Sequence, residues 1–108
     1  MGRIDTARAK ELRRRILQAL AAAAGPGYDG WLSVASLFSI LRPETDGLTL
    51  GELARAVKYL AEKGYAETRE RRESKYARPE TDARIRANGT DLLEETIPPD
   101  PGVEDERE

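Results

Sequence analysis

Residues 49–64 carry a start signal, an apolar stripe and a stop signal in one continuous run. Thr49-Leu50-Gly51-Glu52 has the form of a capping box. The Thr49 side chain can accept from the Glu52 amide, while the Glu52 carboxylate can reach back to the Thr49 amide. Leu50, Leu53, Val57 and Leu60 then recur at helical spacing as an inner stripe, helped by Ala54 and Ala61. Gly64 follows Lys63 where a left-handed residue ends a helix, and Tyr65 is placed to fold back on that end. The other face carries Arg55, Ala56, Lys58, Tyr59, Glu62 and Lys63.

Two helices are expected before this one. Over residues 6–24, Leu12, Ile16 and Leu20 recur every four residues, with Leu17 and Ala24 on the same flank. Asp5 is placed to cap that helix, and Gly25-Pro26-Gly27 ends it. Over residues 31–41, Val34, Leu37, Phe38 and Leu41 form a second stripe. Arg42-Pro43 stops it, because a residue before proline avoids the helical region.

The period changes after Gly64. Residues 65–69 alternate as a strand does, residues 72–75 are wholly polar and read as a hairpin tip, and a return strand is expected over residues 82–86. Pro79 confines that strand to an edge or an irregular stretch. A last short helix is expected over residues 88–95, with Leu92 and Leu93 docking on the core. From residue 96 the run Ile97-Pro98-Pro99-Asp100-Pro101-Gly102 cannot be a helix interior, and the acidic remainder reads as disordered. The expected organisation is therefore one domain over residues 1–95 and an acidic, proline-rich tail over residues 96–108.

Missing side chains bound the chemistry. The chain has no cysteine and no histidine. Disulfides, thiol catalysis, Ser-His-Asp triads and the usual zinc ligand sets are excluded. No catalytic residue, cofactor or metal site is expected, and an enzyme has no constellation behind it. No run of ~18 apolar residues could span a bilayer. Residues 1–5 lack an apolar stretch of the signal-peptide kind, so the expected location is the cytoplasm.

Charge is segregated. Residues 1–90 hold 17 Lys/Arg against 12 Asp/Glu, a net +5, whereas residues 91–108 hold one Arg against 8 Asp/Glu, a net −7. The total of −2 hides a basic body and an acidic end. Such asymmetry fits a nucleic-acid surface beside an acidic segment.

The order helix, helix, helix, β-hairpin, short helix is that of a winged helix-turn-helix, mainly α with a β-hairpin as wing. Residues 48–66, LTLGELARAVKYLAEKGYA, resemble the recognition helix of winged-helix regulators such as the MarR, PadR and ArsR families. In those a capped helix ends on a leucine and a glycine before the wing, as Leu60 and Gly64 do here. Residues 85–103, IRANGTDLLEETIPPDPGV, are similar to the end of small winged-helix proteins of Mu-like phages and prophages. The resemblance implies a third helix and a wing that face DNA, in a phage-derived transcriptional regulator. Gly51 and Ala56 depart from that pattern by leaving the recognition face bare.

Candidate DNA contacts follow from residue type. Arg55, Lys58 and Tyr59 project from the third helix, where arginine can read guanine through two hydrogen bonds. Glu52 and Glu62 share that face and oppose phosphate; each could also pair locally with Arg55 or Lys58. The hairpin carries Arg69, Arg71, Arg72, Lys75 and Arg78 against Glu70 and Glu73, with Tyr76 as a ring among the cations. Basic hairpins of this kind contact phosphates or the minor groove. The expected partner is double-stranded DNA; a homodimer is compatible with the first helix, and no membrane is involved. The alternative is a winged-helix module that docks on another protein, which the bare recognition face and the pI near 5.3 favour.

Overall fold

A computed structural model describes residues 6–105. Among them are four α-helices and a three-stranded antiparallel sheet. Helix α1 spans Ala7–Ala23, α2 Val34–Leu41, α3 Leu50–Glu62 and α4 Ala87–Leu93. Strands β1, β2 and β3 span Leu32–Ser33, Ala66–Arg71 and Glu80–Ile85. The sheet order is β1-β3-β2, so the return strand of the hairpin is central rather than at an edge. Pro79 lies just before β3 and costs it no ladder bond.

Helix boundaries follow local chemistry. Thr6, not Asp5, caps α1, its side chain accepting from the Ala9 amide at 3.1 Å; Asp5 lies outside the described residues. Helix α2 starts three residues later than residue 31, because Leu32 and Ser33 pair with Ala83 and Asp82. Ser33 then caps α2 through the Ser36 amide. Thr49 caps α3 as expected, accepting from the Glu52 amide at 3.1 Å. At the far end Gly64 has φ 80°, its amide reaches the Ala61 carbonyl, and the Tyr65 amide reaches the Leu60 carbonyl. That pair of bonds needs a left-handed residue, which glycine supplies at little steric cost.

The core gathers Leu12, Ile16, Leu17 and Leu20 of α1 with Leu37 and Leu41 of α2. Leu53, Ala56, Val57 and Leu60 of α3 close it, with Ala66 and Ala83 from the sheet and Leu92 from α4. Two positions on α3 correct the sequence reading. Ala56 is buried, since residues 53, 56, 57 and 60 lie at i, i+3, i+4, i+7. Leu50 is 55% exposed, because it sits in the first turn, beyond the packed part of the helix.

The acidic tail is the larger correction. As far as residue 105 it is a strap packed on the helices, with Asp100, Gly102 and Val103 buried. The Glu104 amide donates to the Lys10 carbonyl, Arg13 Nη1 to the Gly102 carbonyl and Arg14 Nη1 to the Glu104 carbonyl. Proline-rich, acidic composition reads as solvated, yet here the arginines of α1 satisfy the strap's backbone. The last three residues of the expected tail, 106–108, lie outside the described residues.

Candidate nucleic-acid interface

The antiparallel register of the hairpin decides where its cations point. Glu67 faces Arg84, Arg69 faces Asp82 and Arg71 faces Glu80. With a period of two, these six side chains share one face of the ribbon. They form a ladder of three cations and three carboxylates. Arg84 Nη2 donates to Glu67 at 3.0 Å, Arg69 Nε to Asp82 at 3.1 Å, and Arg71 Nε to Asp82 at 2.9 Å. Arg71 Nη2 also reaches Glu80 at 3.2 Å. Asp82 is only 2% exposed. The hydrogen bond from Arg71, aided by Arg69, holds its carboxyl below the usual range although burial pushes it up. The same bond raises Arg71. Trp31 lies at the base of the ladder, its ring centroid 4.1 Å from the Arg69 guanidinium and 4.5 Å from that of Arg84.

This ladder commits Arg69 and Arg71, two of the expected DNA contacts, to carboxylates within the hairpin. Counting charges along one strand misses the partners that register brings across. Asp82, Arg84 and Trp31 were not singled out from sequence; setting the two strands in antiparallel register would have placed Asp82 against Arg69.

The hairpin tip is different. Arg72, Lys75 and Arg78 make no ion pair among the described residues. Arg72 Nη1 reaches only the Lys75 carbonyl, at 3.4 Å, and Lys75 Nζ lies 5.2 Å from the Tyr76 ring centroid. Glu73 turns back to Arg71 at 3.5 Å. On α3, Arg55 and Lys58 are exposed and also make no ion pair among the described residues. The local pairings open to them do not form. Glu52 instead takes Arg8 of α1, at 2.7 and 3.0 Å, and that bond holds its carboxyl below its ordinary value. Lys58 shares an open groove of about 420 Å³ with Val34, Ala54, Val57, Ala61, Glu62, Thr68 and Thr81. The exposed flank of α3 and the inner face of the hairpin thus border one concavity.

Tyr59 is the third expected contact of α3, and it points elsewhere. The Arg13 guanidinium stacks 3.7 Å from its ring centroid, and its hydroxyl donates to Asp100 at 3.1 Å. The Tyr65 hydroxyl donates to the other Asp100 oxygen at 2.6 Å, and the Gly102 amide to the first at 2.7 Å. Burial pushes Asp100 up, but the bonds from Tyr65, Gly102 and Tyr59, with the charge of Lys63, bring its carboxyl below its ordinary value. Burial and the bond to Asp100 push the Tyr65 hydroxyl up to about 12. A Cβ at position 102 would run into the Tyr59 hydroxyl, so glycine is what admits the strap there.

Of the eight expected contacts, Arg55, Lys58, Arg72, Lys75 and Arg78 remain available, while Tyr59, Arg69 and Arg71 are engaged inside the molecule. No cluster of three or more Asp or Glu arranged for a metal occurs among the described residues. No described helix is long and apolar enough to cross a membrane. Compared with protein-family models, curated proteins and solved structures, the chain matches none.

Proposed function

We propose that this chain is a winged helix-turn-helix protein that binds double-stranded DNA, with α3 as recognition helix and the β2–β3 hairpin as wing. One observation carries the reading: the five expected cations left without a carboxylate partner divide between the outward face of α3 and the hairpin tip. Those are the two places from which a helix in a major groove and a wing beside it would meet the backbone. With Arg69 and Arg71 held by Asp82, binding rests on few cations and is mainly to phosphates. A phage-derived regulator of transcription, bringing no chemistry of its own, fits this reading together with the resemblance of residues 85–103.

The test is a titration of labelled duplex DNA followed by anisotropy at several salt concentrations. Affinity falls with salt at a slope of about 0.9 per phosphate contacted. Arg55→Ala with Lys58→Ala, and Arg72→Ala with Arg78→Ala, each lower that slope by about 2 on any sequence. Absence of binding at low salt refutes the proposal. The groove between α3 and the hairpin favours a second reading in that event: its lining of Val34, Ala54, Val57 and Ala61 suits an apolar side chain of a protein partner.

A further inference from the structure

We propose that Tyr76 is a stacking platform for an unpaired nucleobase, so that the hairpin tip favours DNA with an opened base step over uninterrupted duplex. This inference rests on the DNA-binding reading and names which form of DNA the tip selects. Tyr76 is 87% exposed, the most exposed of the large apolar side chains among the described residues. Two of the four tyrosines, Tyr59 and Tyr65, spend their hydroxyls on Asp100. Tyr76 makes no side-chain hydrogen bond among the described residues, and its ring packs on no core residue. Yet the backbone that presents it is pinned. The Tyr76 amide donates to Ser74 Oγ at 3.2 Å, and the Ala77 amide to the Ser74 carbonyl at 3.1 Å.

The surroundings of the ring supply the rest. Lys75 Nζ lies 5.2 Å from its centroid, Arg72 stands four residues before it and Arg78 two after it, and Arg78 borders a small concavity with Glu73 and Glu80. Glu73, the carboxylate within the tip, is drawn to Arg71; Glu70 belongs to the opposite face of the ribbon from the ladder. An aromatic ring among cations can stack on a base while the cations hold the flanking phosphates. In continuous duplex the base faces are covered by their neighbours, so the ring gains nothing there. At a bubble, mismatch or strand end the faces are open.

Anisotropy titrations of the whole chain with a fully paired duplex, and with the same duplex carrying a central unpaired bubble, test this. The wild type binds the bubble at least about 5-fold tighter than the duplex. Tyr76→Ala abolishes that preference while leaving duplex affinity and the urea unfolding midpoint unchanged; Tyr76→Phe, which keeps the ring, retains it. Equal wild-type affinity for duplex and bubble overturns the inference and leaves duplex binding standing. So does a Tyr76→Phe loss as large as that of Tyr76→Ala. Binding to neither DNA overturns the inference together with the reading beneath it.

Discussion

Two buried carboxylates hold two different parts of this molecule. Asp82 accepts three hydrogen bonds from the guanidiniums of Arg69 and Arg71. Asp100 also accepts three, from the hydroxyls of Tyr59 and Tyr65 and the amide of Gly102. The count is equal, but the donors are not. A guanidinium is charged and can never accept, whereas a tyrosine hydroxyl is neutral and can turn its oxygen to a new donor. The Asp82 carboxylate is therefore held by charged donors, and the Asp100 carboxylate by neutral ones, two of which can be rearranged.

The sharpest way to break the comparison is to replace each carboxylate by its amide. Asp82→Asn places an NH₂ against guanidinium donors that cannot adapt, and costs about 2–3 kcal/mol by urea denaturation. It also frees Arg69, while Arg71 keeps Glu80 and Glu73, so duplex DNA binds tighter and the salt slope steepens by up to about 1. Unchanged affinity would deny that Asp82 withholds Arg69 from DNA. Asp100→Asn costs less, about 1 kcal/mol, because the Tyr65 hydroxyl can accept from the new NH₂.

Alkali separates the two sites as well. Tyr65 titrates near 12 in the fold against about 10 for a free tyrosine. A raised pKa means that the folded state favours the protonated hydroxyl. That contribution is whole below pH 10 and is lost as the pH climbs from 10 towards 12. The stability gap between wild type and Tyr65→Phe should close over that window, while arginines keep their charge and Asp82 keeps its partners. Acid does not discriminate, since both carboxyls are held low and both contributions fade only as the pH falls below the ordinary carboxylate range. The smallest effect belongs to the rung at the base of the ladder. Glu67 and Arg84 are each more than a third solvent-exposed, so Glu67→Gln shifts stability by no more than about 0.5 kcal/mol.

Elements with local signals were legible in the sequence. The Thr49 cap, Gly64 and the leucine stripes place α1 and α3 to within a residue or two, because their causes lie within one turn of chain. What failed were features whose partners are distant. Ala56 was read as surface because its small side chain does not mark the stripe it belongs to. Tyr59 was read as outward because Asp100, its partner, stands 41 residues away. The hairpin was read as strongly basic because Glu80 and Asp82 come after the tip, and only register sets them against Arg69 and Arg71. The strap was read as disordered because proline and acidic residues disfavour a helix, which says nothing against an extended segment tied down by arginines. Five of the eight expected contacts, Arg55, Lys58, Arg72, Lys75 and Arg78, lack a carboxylate partner among the described residues, because no carboxylate is brought to them across the fold.

Ser33 ends β1 opposite Asp82, and its side chain starts α2. One residue is thus the joint between hairpin and helices, with no slack of linker between them. The start of α2 is thereby set against the Asp82 rung, so a substitution at Ser33 strikes a strand pairing and a helix cap at once.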